Sequence, residues 1–205
     1  EIAAGARRPV VIADTQDNPG GGGTCDTTGL LHALIAADAQ DALVIHINDA
    51  VAVHRALDAG VGGTLLGSLG GRIEPEHGAP VDGPFHVEAL GDGAFTGEGP
   101  MYRGNAIRLG PVALVRKGGV RIIVAERAMQ ASEPGLPRHL DVDPHSAAIL
   151  VLKSAVHFRA AYGRAASASL IAKAPGRVAV DLSDLKYRHA TRPIAGTSLP
   201  RRGAA

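Results

Sequence analysis

The sequence predicts an α/β fold, a mixed sheet with an N-terminal βαβ unit and a central region of antiparallel hairpins. Three observations lead there. Short β-branched runs at PVVIAD (9–14), LVIHI (43–47) and AILVLKS (148–154) have the length and composition of strands buried on both faces. Between the first two lies a helical pattern, TTGLLHALIAA, and a strand, a helix and a strand in that order make a βαβ unit. From residue 60 to 127, glycine and proline punctuate short apolar stretches at hairpin spacing.

Each element has a local reason. In the first helix Leu30, Leu31, Leu34 and Ile35 fall on one face, and Asp26 or Thr27 stands where an N-cap is expected. AVAVHRALDA (50–59) continues as a helix that Gly60 ends. The stretches GTLLGSLGG (63–71), PFHVEALGDG (84–93) and MYRGNAIRLGP (101–111) read as antiparallel strands. PVALVRKGGVRIIVAER (111–127) is a hairpin turning at Lys117, Gly118 and Gly119, because glycine accepts the positive φ of a tight turn. HFRAAYGRAAS reads as a helix leading into a strand, LIAK (170–173). Residues 1–8, EIAAGARR, look like the last turns of a preceding helix or linker, which suggests a fragment of a longer protein. The main domain spans 9–187 and a basic tail, with Arg188, Arg192, Arg201 and Arg202, spans 188–205.

Composition removes several classes of function. With 45% apolar and 20% charged residues the chain is globular. Its 21 Lys and Arg nearly match 20 Asp and Glu, so no excess charge is available to neutralise phosphates, and six aromatics without Trp offer no stacking platform. Nucleic acid is not an expected partner. No apolar run approaches the length of a membrane span. The one cysteine, Cys25, cannot form an internal disulfide, which suits a reducing compartment, and the cytoplasm is the expected location. Glycine and proline, 27 and 13 residues, place much of the surface on loops.

Two of those loops follow buried strands, where α/β sheets bind ligands. The first, ADTQDNPGGGGTCDT, lacks both the Gly-x-Gly-x-x-Gly spacing and the lysine of a nucleotide loop. The glycines, Gly20 and Gly21 among them, remain candidates for a generic anion cradle at a helix start, although Asp14, Asp17 and Asp26 argue against a fully ionised phosphate; the plainer reading is a turn in which Asp17 and Asn18 bond their own backbone. The second, KSAVHFRA, places Lys153, Ser154, His157 and Arg159 within seven residues, where they could converge on a carboxylate or a polarised carbonyl; capping by Ser154 with solvated cations is the alternative. A Ser154 and His157 nucleophile pair lacks the surrounding nucleophile elbow. Tyr102 and Arg103 lie in a loop between expected strands and rank second. The remaining histidines are dispersed, so a zinc site made wholly within this chain is not expected. Cys25, near a helix start, reads as a small filler more readily than as an activated thiol.

Three stretches, ADTQDNPGGGGTCDTTGLLHAL, GPMYRGNAIRLGPVALVRKGGVRIIVAERAMQ and DVDPHSAAILVLKSAVHFRA, resemble in that order the C-terminal domain of the microcystinase C (MlrC) family of metallopeptidase-like hydrolases, from about Pro9 to Pro175. The resemblance implies a parent protein about twice this length, whose N-terminal domain holds zinc and hydrolyses linear peptides or related amides. This chain would be the partner half, inactive alone, with no cofactor of its own. His157 would then support catalysis, and the loop residues with Lys153, Ser154, Arg159, Tyr102 and Arg103 would orient substrate. Cys25 and the surroundings of Pro134 to Pro137 depart from the family pattern. The alternatives are a non-catalytic module that binds a small anion, or an oligomerisation module.

Overall fold

The computed structural model describes residues 8–185, 187–189 and 191–192. The helix end expected at the start of the chain, and Arg201 and Arg202 of the tail, therefore lie outside the described residues. Eight strands form one mixed sheet: β1 (Val10–Asp14), β2 (Ala42–Asn48), β3 (Thr64–Leu65), β6 (Phe85–Gly91), β9 (Val112–Lys117), β10 (Val120–Ala125), β11 (Ile149–Leu152) and β12 (Ala168–Ala172). Their order is β12-β1-β11-β2-β10-β9-β6-β3. From β12 to β10 all neighbours are parallel, and from β10 to β3 all are antiparallel. Strands β4 (Ser68–Leu69) with β5 (Val81–Asp82), and β7 (Ala94–Thr96) with β8 (Ala106–Arg108), make two small antiparallel pairs.

The βαβ unit is present in split form. Helix α1 (Gly29–Ala36) connects β1 to β2, and β11, from far along the chain, inserts between these two strands and pairs in parallel with both. The N-cap of helix α1 is Thr28, one residue after Thr27 and two after Asp26, the caps expected from sequence. Thr28 precedes it without a side-chain cap bond, because the Asp26 carboxylate accepts from the backbone of Arg72 and Ile73 and the Thr27 hydroxyl turns inward. Helix α2 (Ala50–Ala59) has the expected bounds, and Asp49 caps it by accepting from Ala52 N at 2.9 Å. In the β9–β10 hairpin Lys117 stays in the strand, and the turn is Gly118 and Gly119, with Gly118 at φ +58°. Two short helices, α3 (Gly135–His139) and α4 (Phe158–Tyr162), follow; α4 is shorter than the pattern suggests, and β12 begins at Ala168, earlier than expected.

Two apolar layers sandwich the sheet. Leu31, Leu34, Val44, Ile47, Val53 and Ile122 pack under α1 and α2; Leu43, Ile45, Ile123, Leu136, Phe158 and Tyr162 pack under α3 and α4. Strict alternation would put Val44 and Ile47 on opposite faces. They share one because β2 carries an extra residue against β10, where the register passes from Ile122 opposite Val44 to Val124 opposite Ile47. That bulge turns His46 into the interior at the end of the sheet where the candidate loops lie.

Candidate functional site

The parallel strands end together, so the loops after β1, β11, β2 and β10 crowd one edge of the sheet. After Asp14, the last residue of β1, the chain folds into a compact turn. Asn18 accepts from Gly20 N through its side chain at 3.0 Å, and its carbonyl accepts from Gly21 N at 3.0 Å and Gly23 N at 2.9 Å; Gly22 N donates to Pro19 O. A Cβ on Gly23 would stand 2.6 Å from the Asp17 carbonyl carbon, so glycine is required there by close backbone approach, and Gly22 sits at φ +94°. The four glycines thus serve the turn itself. Their amides are all engaged within it, which corrects the expectation that they cradle an anion. The start of α1 is covered as well, with Thr28 Oγ1 and His32 Nε2 both on the carbonyl of Ala79.

Behind the turn lies a buried ionic knot. Lys153 Nζ, at the end of β11, donates to Asp14 Oδ2 at 2.9 Å, Asp17 Oδ2 at 2.7 Å and Thr27 O at 2.9 Å, with Thr27 Oγ1 at 3.0 Å. An ammonium has three N–H donors, and all are used inside the fold. Lys153 therefore sits beneath the surface with none left over for a ligand. Asp17 also accepts from Cys25 N, Thr24 Oγ1, Thr27 N and Thr27 Oγ1. Burial disfavours its charge, but Lys153 and these donors outweigh burial and hold its pKa below the usual value. Among the described residues Asp14 Oδ1 is buried without a hydrogen-bond partner, and burial raises the Asp14 pKa. Lys153 pairs with both aspartates, and Asp17 is the more fully bonded of the two. Burial alone would lower the Lys153 pKa, yet the two aspartates overcome it and push it up to about 12.

The next layer outward contains Ser154, His157 and a residue that the sequence did not single out, Gln130. Ser154 is fully buried and His157 is exposed. Gln130 Nε2 lies 3.2 Å from Ser154 Oγ and 3.1 Å from His157 Nδ1. The serine and histidine are thus joined through an amide, an arrangement without a nucleophile and its base. On the other side, Gln130 Oε1 stands 2.9 Å from where a Cβ of Gly20 would be. One side chain therefore brings the two sequence-distant loops together. Ala131 N strengthens the join by donating to Lys153 O at 3.2 Å. Arg159 is exposed, its guanidinium 5.1 Å from the centre of the Phe158 ring.

Tyr102, half-buried, and Arg103, exposed, lie in the β7–β8 loop. That loop is anchored by Glu133, also missed from sequence, whose buried carboxylate accepts from the backbone of Glu98, Gly99 and Gly135. Ser132 Oγ reaches Met101 Sδ at 3.6 Å, so the loop borders the segment that carries Gln130. The available signal was positional: residues 126–133 follow a buried strand at the same sheet edge as Asp14 and Lys153.

Cys25 Sγ lies 3.6 Å from His46 Nε2 and 3.3 Å from His46 O. Burial pushes the thiol well above its ordinary range and lowers the His46 pKa to about 4, so both are neutral. Among the described residues no three His, Cys, Asp or Glu side chains come together as a metal-ligand group. Asp14 and Asp17 are already tied to an ammonium, and the donors present do not fit the zinc implied by the resemblance.

The family model described as MlrC C-terminus matches residues 12–189. The chain belongs to the MlrC C-terminus family. It is similar to Microcystinase C of Sphingomonas sp, 29% identical over 155 residues, which cover 76% of this chain and 30% of that protein. A crystal structure from Mesorhizobium sp. BNC1, of a protein described as a candidate metallopeptidase, shares the fold with a TM-score of 0.83 and 23% identity, covering 98% of this chain and 40% of that one. The chain thus spans well under half the length of either relative, and both are longer than the twofold length the resemblance implied. Among the described residues no helix is long and apolar enough to cross a membrane.

Proposed function

We propose that this MlrC C-terminal domain forms one wall of the substrate cleft of a larger zinc-dependent peptidase or amidohydrolase, against an N-terminal metal-binding domain of the parent protein. The observation that carries the proposal is the meeting of two loops, 14–28 and 153–159, on one sheet edge, with exposed His157 and Arg159 over a buried ionic knot. The names of the two relatives, a microcystinase and a candidate metallopeptidase, point to peptide-like substrates. The zinc would be held outside the described residues of this chain.

The domain's own work is orientation and hydrogen bonding. His157 supplies an exposed imidazole that supports catalysis by bonding a substrate oxygen, Arg159 a cation for a carboxylate, and Tyr102 with Arg103 a flank beyond Gln130. Asp17, Asn18, Gly20, Gly21, Lys153 and Ser154 act through shape, by keeping the rim in place. The buried, reduced Cys25 suits a cytoplasmic protein. An anion-binding module is the weaker reading, since the glycine amides that would carry it are occupied in their own turn.

The test is kinetic. In the full-length parent, His157→Ala is expected to lower kcat/KM for a linear peptide by roughly 10²-fold, the scale for losing one donor to a developing oxyanion. Its unfolding midpoint should move little, because His157 is exposed and its one hydrogen bond among the described residues is to Gln130. Unchanged kinetics would remove His157 from the site.

A further inference from the structure

We infer that Gln130 is a positioning residue that fixes the tautomer of His157, so that the imidazole presents Nε2–H, a hydrogen-bond donor, to an acceptor oxygen of an amide or peptide substrate. The inference rests on the proposed cleft and adds the direction of the bond that His157 makes.

The amide of Gln130 is buried, at 4% exposure, and its two ends have different neighbours. One end faces two groups able to accept, Ser154 Oγ at 3.2 Å and His157 Nδ1 at 3.1 Å. The other stands 2.9 Å from the ideal Cβ position of Gly20, and the acceptor nearest that point, Asn18 Oδ1 at 3.2 Å, already accepts from Gly20 N. An amide nitrogen carries two hydrogens, and two acceptors on one side satisfy both. The oxygen suits the glycine side, where a C–H contact is weakly favourable and an NH₂ group would be wasted. With Gln130 donating, His157 Nδ1 must be the acceptor, which leaves the proton on Nε2 in the neutral ring. His157 Nε2 has no partner among the described residues, and the residue is exposed.

The same contact explains Gly20. Any side chain there would displace Gln130 Oε1 and with it the amide that orients the ring. The glycine loop therefore reaches His157 through Gln130, and the two loops act as one unit.

The experiment is a long-range ¹H–¹⁵N correlation on the labelled 205-residue chain at a pH where His157 is neutral, with the His157 signals assigned by comparison with His157→Ala. The native chain should show a protonated Nε2 and an unprotonated Nδ1. In Gln130→Glu a carboxylate replaces the donor, so Nδ1 becomes the protonated nitrogen and the two signals exchange identity. Should the buried carboxylate prevent folding, Gln130→Met retains the shape without a donor, and the His157 nitrogen shifts should move toward those of a free imidazole. A protonated Nδ1 in the native chain, or signals unchanged in either folded variant, would overturn the inference. These readouts need no catalysis. If His157→Ala leaves the parent's kinetics intact while the tautomer responds as described, the cleft proposal fails and the positioning by Gln130 stands.

Discussion

The Lys153 knot and the Gln130–His157 layer lie side by side on one sheet edge, both polar and both assembled from segments more than a hundred residues apart or bridged across such segments. They differ in satisfaction. In the knot an ammonium has four contacts within hydrogen-bond reach and Asp17 accepts from Cys25, Thr24, Thr27 and Lys153, with no valence facing outward. In the outer layer one imidazole nitrogen is engaged and the other has no partner among the described residues. Residues of similar chemistry therefore divide by depth, the inner set holding the loops together and the outer set ending in an exposed imidazole.

The comparison predicts opposite responses to mutation. Lys153→Met should be the most damaging change, destabilising the chain by about 3–5 kcal/mol in urea unfolding, because it leaves two buried carboxylates without their cation. A loss below about 1 kcal/mol would mean that the knot is not the anchor described. Next in size is alkaline pH. The Lys153 pKa is raised in the fold from 10.5 to about 12, so the folded state holds this proton more tightly. Its contribution is complete below about pH 10.5 and is lost as pH rises through about 12, so the urea midpoint should fall across that window and Lys153→Met should lack this step. At the acid end the two aspartates oppose each other. Asp17 is lowered, so its stabilising charge is lost as pH falls, whereas Asp14 is raised and its charged form is the disfavoured one in the fold. Smaller again is Gly23→Ala, which presses a methyl on the Asp17 and Asn18 backbone and should cost about 1–3 kcal/mol in the same assay.

Much of the fold was legible because buried parallel strands leave continuous β-branched runs and because Gly118-Gly119 has one economical use. The insertion of β11 between β1 and β2 was not, since nothing local in ILVL specifies neighbours so distant in sequence. The late start of α1 was misread for a related reason. Asp26 and Thr27 have the chemistry of N-caps, but tertiary partners, the backbone of Arg72 and Ile73 for one and Asp17 with Lys153 for the other, claim those side chains. At the site, sequence density drew attention to KSAVHFRA and gave no depth, so buried Lys153 and exposed His157 looked equivalent. Gln130 escaped notice because a lone glutamine after a strand carries no motif; its importance lies in what stands at its two ends.

The central claim is that the outer layer is a face completed by the rest of the parent protein, over a knot whose ammonium is fully bonded within the domain. Amide hydrogen exchange of the 205-residue chain and of the full-length parent tests it directly. Peptides covering 155–160 and 100–104 should gain protection in the full-length protein, while the Cys25 and Thr27 amides bonded to Asp17 are already protected in both. Equal exchange at 155–160 and 100–104 in the two proteins would contradict the account.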